Sequence, residues 1–395
     1  MDLEKNADRR HTFIFHGKGI EYFGIWIVNI FLMIITLGIY LPWALVKARK
    51  YLYSKTELSG AFFSYHAKGS AIFVSWLLLF ILYIIFAVVL VNQKIVAGSI
   101  MLLLFVLFLP WGIVLSLRYQ ALMTRLNGIR FSFDCSPVRA WWVMIGCPLL
   151  MIVGSALILL GFMKAIPSPD SLNGLIVNAI ILVLMVFILL GISNGITLAM
   201  WMRMFSGLSS FGNLRFSACI STKKCIVMSV LSYLILLPFI GVIIKINAPM
   251  FSEASLSLMS GVSRSEIEAN IIANHIGAIV TSYLIYFMAI LVCVGYALTA
   301  FRNYFWSALT LGNNIRFSST LNFSYMVWLL LSNFALVAVT CGLAYPWAKV
   351  RLLRYMASHS EVIGSLEGIQ DSDEVMKPGF MMVLSRGLVI TLPLI

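Results

Sequence analysis

The chain has 395 residues, of which 61% are hydrophobic and only 11% are charged, and its mean hydropathy is +0.98. Water-soluble domains are about 45–50% apolar, so this composition excludes a soluble globule and indicates a multi-pass membrane protein. The net charge of +13 comes from basic residues between apolar runs, where membrane orientation requires them. We therefore expect contacts with anionic membrane lipids and no nucleic-acid partner.

Eight apolar segments are long enough to cross the roughly 30 Å hydrocarbon layer as helices. The sequence predicts an all-α fold, a transmembrane helical bundle of about eight membrane segments with internal repeats and short cytoplasmic β-like stretches. The predicted segments are 21–46, 71–91, 96–117, 140–163, 174–200, 225–247, 271–300 and 322–346.

The distribution of Lys and Arg predicts the orientation of the central segments. Four alternate connections, 47–70, 118–139, 201–224 and 301–321, carry fifteen basic residues, and the intervening connections carry four. The positive-inside rule assigns the first set to the cytoplasm. The two end segments break this pattern if each crosses once, because their outer flanks are also basic. A re-entrant pair of short helices would remove the conflict, but about 26 residues are too few for two full crossings, which favours a single crossing.

The same motif occurs near both ends of the chain. Thr36–Lys47 and Thr340–Arg351 share Thr-x-Gly-x-x-x-Pro-Trp-Ala at a spacing of 304 residues, and Pro110-Trp111 begins a partial third copy. Such repetition indicates duplication. We divide the chain into an N-terminal segment 1–20, a repeat-built membrane domain 21–346 and a C-terminal tail 367–395. The repeats are 21–69, 70–139, 140–224, 225–321 and 322–366.

A shorter element, Arg-Phe-Ser, begins at Arg130, Arg215 and Arg316, always in a connection assigned to the cytoplasm. In the first copy, Leu126-Asn-Gly-Ile precedes the strand-like Arg-Phe-Ser-Phe, a pattern typical of a hairpin turn between two strands. Several such strands on one side of the membrane are expected to pair into a small sheet.

The stretch from Phe15 to Ala44, which ends in Thr-Leu-Gly-Ile-Tyr-Leu-Pro-Trp-Ala, resembles the start of the YjgN-type bacterial inner-membrane proteins, a family of unknown function. Leu117–Phe133 and Gly342–Pro346 are also similar to that family. The resemblance covers nearly the whole chain. It implies a multi-pass protein of the bacterial cell inner membrane and supplies no activity, substrate or catalytic residue.

The cores of the eight segments contain no Asp, Glu, Lys or Arg. Ion-coupled transporters usually keep ionisable groups at membrane depth, so coupled transport is disfavoured. Broken helices can instead bind ions through backbone carbonyls, and the two end segments carry matched polar residues where such a break could occur. A purely structural role as interhelical hydrogen bonds is the alternative. The candidate residues for a polar break are Asn29, Thr36, Gly38, Asn333, Thr340 and Gly342.

Four basic residues follow apolar segments at similar positions and form a candidate site for lipid headgroups or phosphate. Ordinary positive-inside flanking explains the same residues. The four are Lys50, Arg118, Arg203 and Arg354.

The remaining motifs do not indicate an enzyme. Gly191-Ile-Ser-Asn-Gly195 matches the hydrolase pattern G-x-S-x-G, but it lies within an apolar span, where two glycines four residues apart indicate close helix packing. The five histidines show no metal-binding spacing and the six cysteines no C-x-x-C pair. We expect no catalytic residues, no metal and no cofactor.

Two functions remain open. The leading hypothesis is transport or permeation of a small or lipidic substrate, which a polar cavity near Asn29, Thr36, Asn333 and Thr340 would favour. The alternative is a non-transporting envelope protein that organises lipids or partner proteins through a basic cytoplasmic face, which a solidly packed bundle would favour.

Overall fold

The computed structural model describes residues 9–166, 172–366, 369–371 and 380–386. The predicted segments 1–20 and 367–395 therefore lie partly outside the described residues. Within the described chain, helices predominate, as expected for a polytopic membrane protein. The predicted helical membrane fold is confirmed in this coarser form, and the predicted short β-like stretches are part of a set of ten strands that pair into one closed barrel.

All ten strands of the barrel are antiparallel to their neighbours, and closure leaves no unpaired sheet edge. Consecutive pairs such as β2–β3 and β4–β5 form tight hairpins, and β1 closes the barrel by pairing with β10. The strands are β1 (Arg10–Phe15), β2 (Thr56–Leu58), β3 (Ala61–Tyr65), β4 (Thr124–Leu126), β5 (Ile129–Phe133), β6 (Ser209–Phe211), β7 (Leu214–Ala218), β8 (Leu309–Leu311), β9 (Ile315–Ser319) and β10 (Ser360–Ile363).

The predicted strands at the three Arg-Phe-Ser elements are confirmed, since they lie in β5, β7 and β9. The Asn127-Gly128 turn joins β4 to β5 with both residues at positive φ, 50° and 82°, as a two-residue hairpin requires. Leu126 pairs with Ile129 directly across this turn.

Five helical hairpins rise from one end of the barrel, and each begins after an odd-numbered strand and ends at the next strand. Hairpins 2 to 4 are long. Hairpin 2 comprises α3 (Gly69–Val91) and α4 (Ile95–Met123). Hairpin 3 comprises α5 (Pro137–Trp141), a π-helical turn (Trp142–Gly146), α6 (Cys147–Ala165) and α7 (Leu172–Leu208). Hairpin 4 comprises α8 (Thr222–Leu234), α9 (Leu237–Met259) and α10 (Arg264–Ala308).

Hairpins 1 and 5 are short, and they are the two copies of the Pro-Trp motif. Hairpin 1 comprises α1 (Gly19–Ile35) and α2 (Leu41–Ser54), and hairpin 5 comprises α11 (Phe323–Val339) and α12 (Tyr345–Ser358). In each case the chain leaves the barrel and returns to it. The expected single crossing of segments 21–46 and 322–346 is therefore wrong, and their basic flanks lie on the barrel side with the others.

Six helical stretches in the described chain are long and apolar enough to cross a membrane, and all belong to hairpins 2 to 4. The helices α1 and α11 have 17 residues each, about 25 Å, which is shorter than the roughly 30 Å hydrocarbon layer. The tips of these short hairpins nonetheless expose apolar side chains: Leu37 is 93% exposed and Val339 is 84% exposed.

A last helix, α13 (Phe380–Ser385), packs against hairpin 2. The Ser75 hydroxyl of α3 donates to the Leu384 carbonyl, and the guanidinium of Arg386 lies 5.1 Å from the centre of the Tyr119 ring. Part of the predicted C-terminal tail is thus an ordered component of the helical layer.

Candidate functional site

The barrel interior is built from two rings of apolar side chains. Alternate residues of a strand point to the same side, so each strand contributes every second residue to the lumen. The even-numbered strands supply one ring, in which every member is at most 5% exposed. The members of this ring are Leu58, Leu126, Phe211, Leu311 and Val362.

The odd-numbered strands supply the second ring, which consists entirely of phenylalanines: Phe13, Phe63, Phe131, Phe216 and Phe317. Phe63 lies between Phe13 and Phe131, with ring centroids 6.3 Å apart on each side. Aromatic pairs at such distances stabilise each other beyond simple burial.

The two rings enclose an apolar cavity of about 170 Å³. It extends from the barrel to the last turns of the helices that return to it, where Leu117 of α4, Phe205 of α7 and Met356 of α12 line it. An apolar cavity of roughly 150 Å³ can stay free of water and admit a small hydrocarbon. The cavity therefore suits an apolar group.

One guanidinium reaches this apolar lining. Arg302 of α10 donates from Nη2 to Ser360 Oγ at 3.2 Å, and its Cζ lies 4.7 Å from the centre of the Trp306 ring. Its Nε is buried and has no hydrogen-bond partner among the described residues. Among the described residues that line it, the cavity thus combines an extended apolar wall with one cationic group.

The described residues after β10, 364–366 and 369–371, form a strap that covers the end of the barrel opposite the helices. Leu366 lines the cavity, and Ile369 packs against the ring of apolar residues. The Gln370 carbonyl accepts a hydrogen bond from Asn213 N at 3.1 Å, and Asp371 Oδ1 accepts one from Arg130 N at the same distance. These contacts hold the strap against the β4–β5 and β6–β7 hairpins.

The four basic residues predicted as a lipid or phosphate site occupy equivalent positions, each six residues before a strand. They belong to different hairpins, so they are distributed around the barrel rather than gathered at one point. Lys50 is exposed. Arg118 Nη1 lies 3.1 Å from Asp134 Oδ1.

The other two arginines bind main-chain carbonyls of the neighbouring hairpin. Arg203 Nη2 donates to the Ile220 carbonyl at 2.7 Å, and Arg354 Nη2 donates to the Gly17 carbonyl at 3.0 Å. In each contact the arginine joins its own hairpin to the loop that begins the next hairpin. The sequence did not indicate this role.

The predicted polar residues of the two end segments make matching contacts within their own hairpins. Asn29 Nδ2 donates to the Ala44 carbonyl at 3.3 Å, and Asn333 Nδ2 donates to the Ala348 carbonyl at 3.2 Å. Both side chains are buried. Each asparagine therefore connects the two helices of its own hairpin by a hydrogen bond, which is the purely structural role and not a polar break.

The predicted breaks are turns with the same geometry. Thr36 Oγ1 donates to the Leu32 carbonyl at 2.7 Å and accepts from Tyr40 N at 3.0 Å, and Thr340 makes the same pair of bonds at the same distances. Gly38 and Gly342 follow with φ of 89° and 92°, which glycine adopts readily. The threonine hydroxyls therefore satisfy backbone groups of the turn.

The Pro-Trp motif also has a packing role. Trp43 of hairpin 1 lies against Gly69, the first residue of hairpin 2, and Trp347 of hairpin 5 lies against Gly19, the first residue of hairpin 1. A Cβ at either glycine would fall within 2.5 Å of the tryptophan ring. In both copies of the Pro-Trp motif, the tryptophan therefore packs its hairpin against the next hairpin around the barrel.

The G-x-S-x-G match is a helix contact. A Cβ at Gly195 would lie 2.5 Å from Ile226 Cα, and one at Gly191 would lie 2.7 Å from Val230 Cα. Ser193 Oγ lies 3.2 Å from Ser155 Oγ, whereas His275 Nε2 lies 2.6 Å from Glu253 Oε2. Ser193 and His275 thus have separate partners.

Outside the membrane helices, a cluster of cations faces one histidine. His66 follows β3, and partial desolvation lowers its pKa below the usual value, with further lowering by Arg125, Lys50 and Arg130. Its ring nitrogen Nε2 lies 3.1 Å from Ser64 Oγ. The neutral imidazole is therefore favoured near neutral pH.

These features define a class: a multi-pass helical membrane protein whose hairpins rise from a closed β-barrel with an apolar interior. A family model described as "Bacterial protein of unknown function (DUF898)" matches residues 10–377, and the chain belongs to this family. It is similar to "Inner membrane protein YjgN" of Salmonella typhimurium, 38% identical over 396 residues that cover 100% of this chain and 99% of the relative.

A second relative of the same name, from Escherichia coli K12, is 34% identical over 388 residues, or 97% of this chain and 96% of the relative. No solved structure gives a significant match. The protein is therefore a multi-pass protein of the bacterial inner membrane, and the prediction of the family is confirmed.

Proposed function

We propose that this protein mediates the transport or permeation of a lipidic substrate, whose apolar part enters the barrel cavity from the membrane. The observation that carries the proposal is the apolar cavity itself, which two rings of side chains enclose and which extends to the helix ends. Because Thr36 and Thr340 are engaged in turn hydrogen bonds, and Asn29 and Asn333 in bonds between helices, a small polar substrate is less well supported.

The proposed membrane arrangement has eight segments. Three long hairpins supply six spans, and hairpins 1 and 5 enter the membrane from the barrel side without crossing it. Five strand–hairpin–strand units make up the proposed internal repeat. Since the basic residues concentrate on the barrel side, this arrangement has the barrel in the cytoplasm, with Lys50, Arg118, Arg203 and Arg354 near anionic headgroups. The role is proposed to be non-enzymatic and to need no cofactor.

Arg302 gives the cavity a preference among lipidic molecules. A cation at the edge of an apolar wall favours an amphiphile with a negative group, because an ion pair in a poorly solvated site is stronger than one in water. We expect a fatty acid to bind more tightly than its methyl ester, and Arg302→Gln to reduce this difference.

Photolabelling of the purified full-length chain with a diazirine fatty acid tests the binding step. Label is expected on peptides that contain Phe63 and Phe131. Phe63→Trp fills the lumen and should reduce labelling severalfold. Phe62→Trp is the matched control, because Phe62 is adjacent on β3, 49% exposed and outside the cavity lining. Label confined to the outer faces of hairpins 2 to 4 and unchanged by Phe63→Trp would contradict the proposal.

Proteoliposomes with a fluorescent lipid analogue in both leaflets test the permeation step. Dithionite should bleach the inner-leaflet probe only if the protein moves it outward. Protein-dependent bleaching that Phe63→Trp slows and Phe62→Trp does not would support permeation. Binding without bleaching would favour the second function below.

The second candidate is a non-transporting envelope protein that organises lipids or partner proteins through a basic face. Two like charges, Arg125 and Arg130, stand opposite each other on the outside of the β4–β5 hairpin, and Asp371 Oδ2 lies 3.7 Å from Arg130 Nε. Like-charged cross-strand pairs destabilise a sheet, which favours a partner that compensates them. Partner capture that Arg125→Ser abolishes, together with no protein-dependent bleaching by the wild type, would favour this role.

A further inference from the structure

A polar groove lies on the outside of hairpin 5, where α11 leaves the barrel and the last turns of α12 return to it. Its volume is about 450 Å³. Arg351, Arg354 and Tyr355 line it from α12, His359 lines it from the residue that follows α12, and Tyr325 lines it from α11. The described residues that line the groove include no carboxylate, so the groove is cationic.

Hairpin 1 contains the same location, and there a carboxylate fills it. Glu21 Oε2 accepts a hydrogen bond from Tyr51 Oη at 3.1 Å and lies 3.3 Å from Lys55 Nζ. Glu21 Oε1 lies 3.9 Å from Lys18 Nζ. An acidic side chain of the chain itself is therefore held by one hydroxyl and two ammonium groups.

The two locations correspond residue by residue, because hairpins 1 and 5 are related by an offset of 304 residues. The tyrosine hydroxyl is kept in both, and each binds the backbone just before the first helix, Tyr51 at Lys18 and Tyr355 at Asn322. The acidic residue is not kept. The corresponding pairs are Lys18 and Asn322, Glu21 and Tyr325, Lys47 and Arg351, Lys50 and Arg354, Tyr51 and Tyr355, and Lys55 and His359.

Both ammonium groups that hold Glu21 are replaced in hairpin 5, Lys18 by Asn322 and Lys55 by His359. Hairpin 5 instead lines the groove with two guanidinium groups, Arg351 and Arg354, and has no internal anion among the described lining residues. Arg351 Nη1 donates to Asn333 Oδ1 at 3.0 Å, with a longer contact to Ser332, and Arg354 Nη2 donates to Gly17 O. A guanidinium has five N–H donors, so donors remain on both side chains, and both are exposed. Guanidinium groups bind phosphate oxygens through paired hydrogen bonds.

We propose that the groove of hairpin 5 binds a phosphate group, in the position that the carboxylate of Glu21 fills in hairpin 1. The phosphate is that of a phospholipid headgroup or free phosphate in solution. The inference deepens the proposed contact with anionic headgroups and rests on that proposal for the lipid source. It does not depend on the barrel cavity, since the groove lies on the other face of α12.

Hairpins 1 and 5 differ in the residue at the position of Glu21, which is Tyr325 in hairpin 5. Substitutions at these two residues in the full-length chain test the inference. Native mass spectrometry in detergent counts phosphatidylglycerol adducts during a titration. Tyr325→Glu supplies the internal carboxylate and should weaken the tightest adduct about tenfold or more. Tyr325→Phe is the matched control and should keep it. Glu21→Gln removes the internal carboxylate of hairpin 1 and should add a second tight adduct.

A parallel titration with sodium phosphate, read as thermal stabilisation in lipid-free detergent, distinguishes the two sources. Stabilisation that Tyr325→Glu abolishes, without a specific lipid adduct, identifies free phosphate. Equal lipid adducts and equal phosphate stabilisation in the wild type, Tyr325→Glu and Tyr325→Phe would overturn the inference. Photolabelling of the barrel by a fatty acid, which has no phosphate, remains a separate readout, so failure of either proposal is visible without the other.

Discussion

Arg354 of the last hairpin donates a hydrogen bond to the carbonyl oxygen of Gly17 at 3.0 Å, across 337 residues of sequence. The contact joins the end of the ring of hairpins to its beginning, beside the pairing of β10 with β1. Arg203 makes the equivalent contact inside the ring, from hairpin 3 to the Ile220 carbonyl at the start of hairpin 4. The fold is therefore held by repeated contacts between neighbouring hairpins.

Removal of such a contact should lower stability. Arg203→Met deletes the bonds to the Ile220 carbonyl and to Thr222 Oγ1, and we expect a loss of about 1–3 kcal/mol, as for hydrogen bonds to charged groups. The measurement is thermal unfolding in detergent. Lys50→Met is the matched control, because Lys50 occupies the equivalent position and is likewise exposed, but makes no hydrogen bond to the described residues. Equal melting temperatures of the two variants would contradict the assigned role of Arg203.

The contact between α7 and α8 should tolerate no side chain at its glycines. In Gly195→Ala the new Cβ would lie 2.5 Å from Ile226 Cα, so the helices must separate, at an expected cost of about 1–3 kcal/mol. Gly154→Ala is the control in the neighbouring helix, where nothing lies within 4 Å. It should be neutral or stabilising by up to about 1 kcal/mol, since alanine is the better helix former. Two variants with the same unfolding temperature would refute this packing.

The two buried asparagines are matched in sequence but differ in the partners of their carbonyl oxygens. Asn333 Oδ1 accepts from Arg351 Nη1 at 3.0 Å, whereas Asn29 Oδ1 is buried and has no hydrogen-bond partner among the described residues. Asn333→Ala should therefore cost more stability than Asn29→Ala, by about 0.6 kcal/mol for the additional bond. Lys47→Arg places a guanidinium at the position equivalent to Arg351 and should stabilise hairpin 1. The opposite order of the two alanine variants would show that the extra bond contributes nothing.

Much of the fold was predictable from repeated local patterns, but closure of the barrel was not. Asn127-Gly128 and the three Arg-Phe-Ser elements predict strands because turn chemistry and alternation are local properties. The even-numbered strands, such as Thr56–Leu58, have only three or four residues and follow helices at once. Such a stretch is too short for alternation to be visible. Closure depends on pairing between strands about 350 residues apart, which no local pattern reports.

Hairpins 1 and 5 were misjudged because hydropathy treats an uninterrupted apolar run as one span. The segment 21–46 contains no charged residue after Glu21, and its turn depends on the left-handed conformation of Leu37 and on the Thr36 hydroxyl. Basic residues on both flanks were the available signal. For the barrel interior, the signal was the phenylalanine at the same place in each copy. Arg302 has no such repetition and could not be identified.

The environment of His66 predicts a pH effect with a definite sign. Its pKa is lowered in the folded chain, so the unfolded chain binds more protons as the pH falls through about 6.5. Stability contributed by this site is therefore lost as the pH falls, and His66→Gln should reduce the loss. NMR titration of labelled histidine measures the pKa directly. Arg125→Gln should raise it, and an unchanged pKa would show that Arg125 does not act on His66.

Two exposed cysteines test whether hairpin 5 ends inside the membrane. Cys341 lies in the turn at the tip of hairpin 5, and Cys219 lies at the end of β7 on the barrel side; both are free and exposed. A charged reagent does not enter hydrocarbon, because burying a charge there costs much free energy. In sealed membranes Cys341 should therefore resist a charged maleimide from either side, whereas Cys219 should react from the side that carries the barrel.

Detergent should leave Cys341 shielded, and unfolding in dodecyl sulfate should expose it. The single-cysteine chains that retain only Cys341 or only Cys219 provide the matched pair. Labelling of Cys341 from the membrane face opposite to Cys219 would mean that hairpin 5 crosses the membrane, because only a full crossing exposes its tip on that face. Labelling of both from the same face would instead indicate that hairpin 5 lies outside the bilayer.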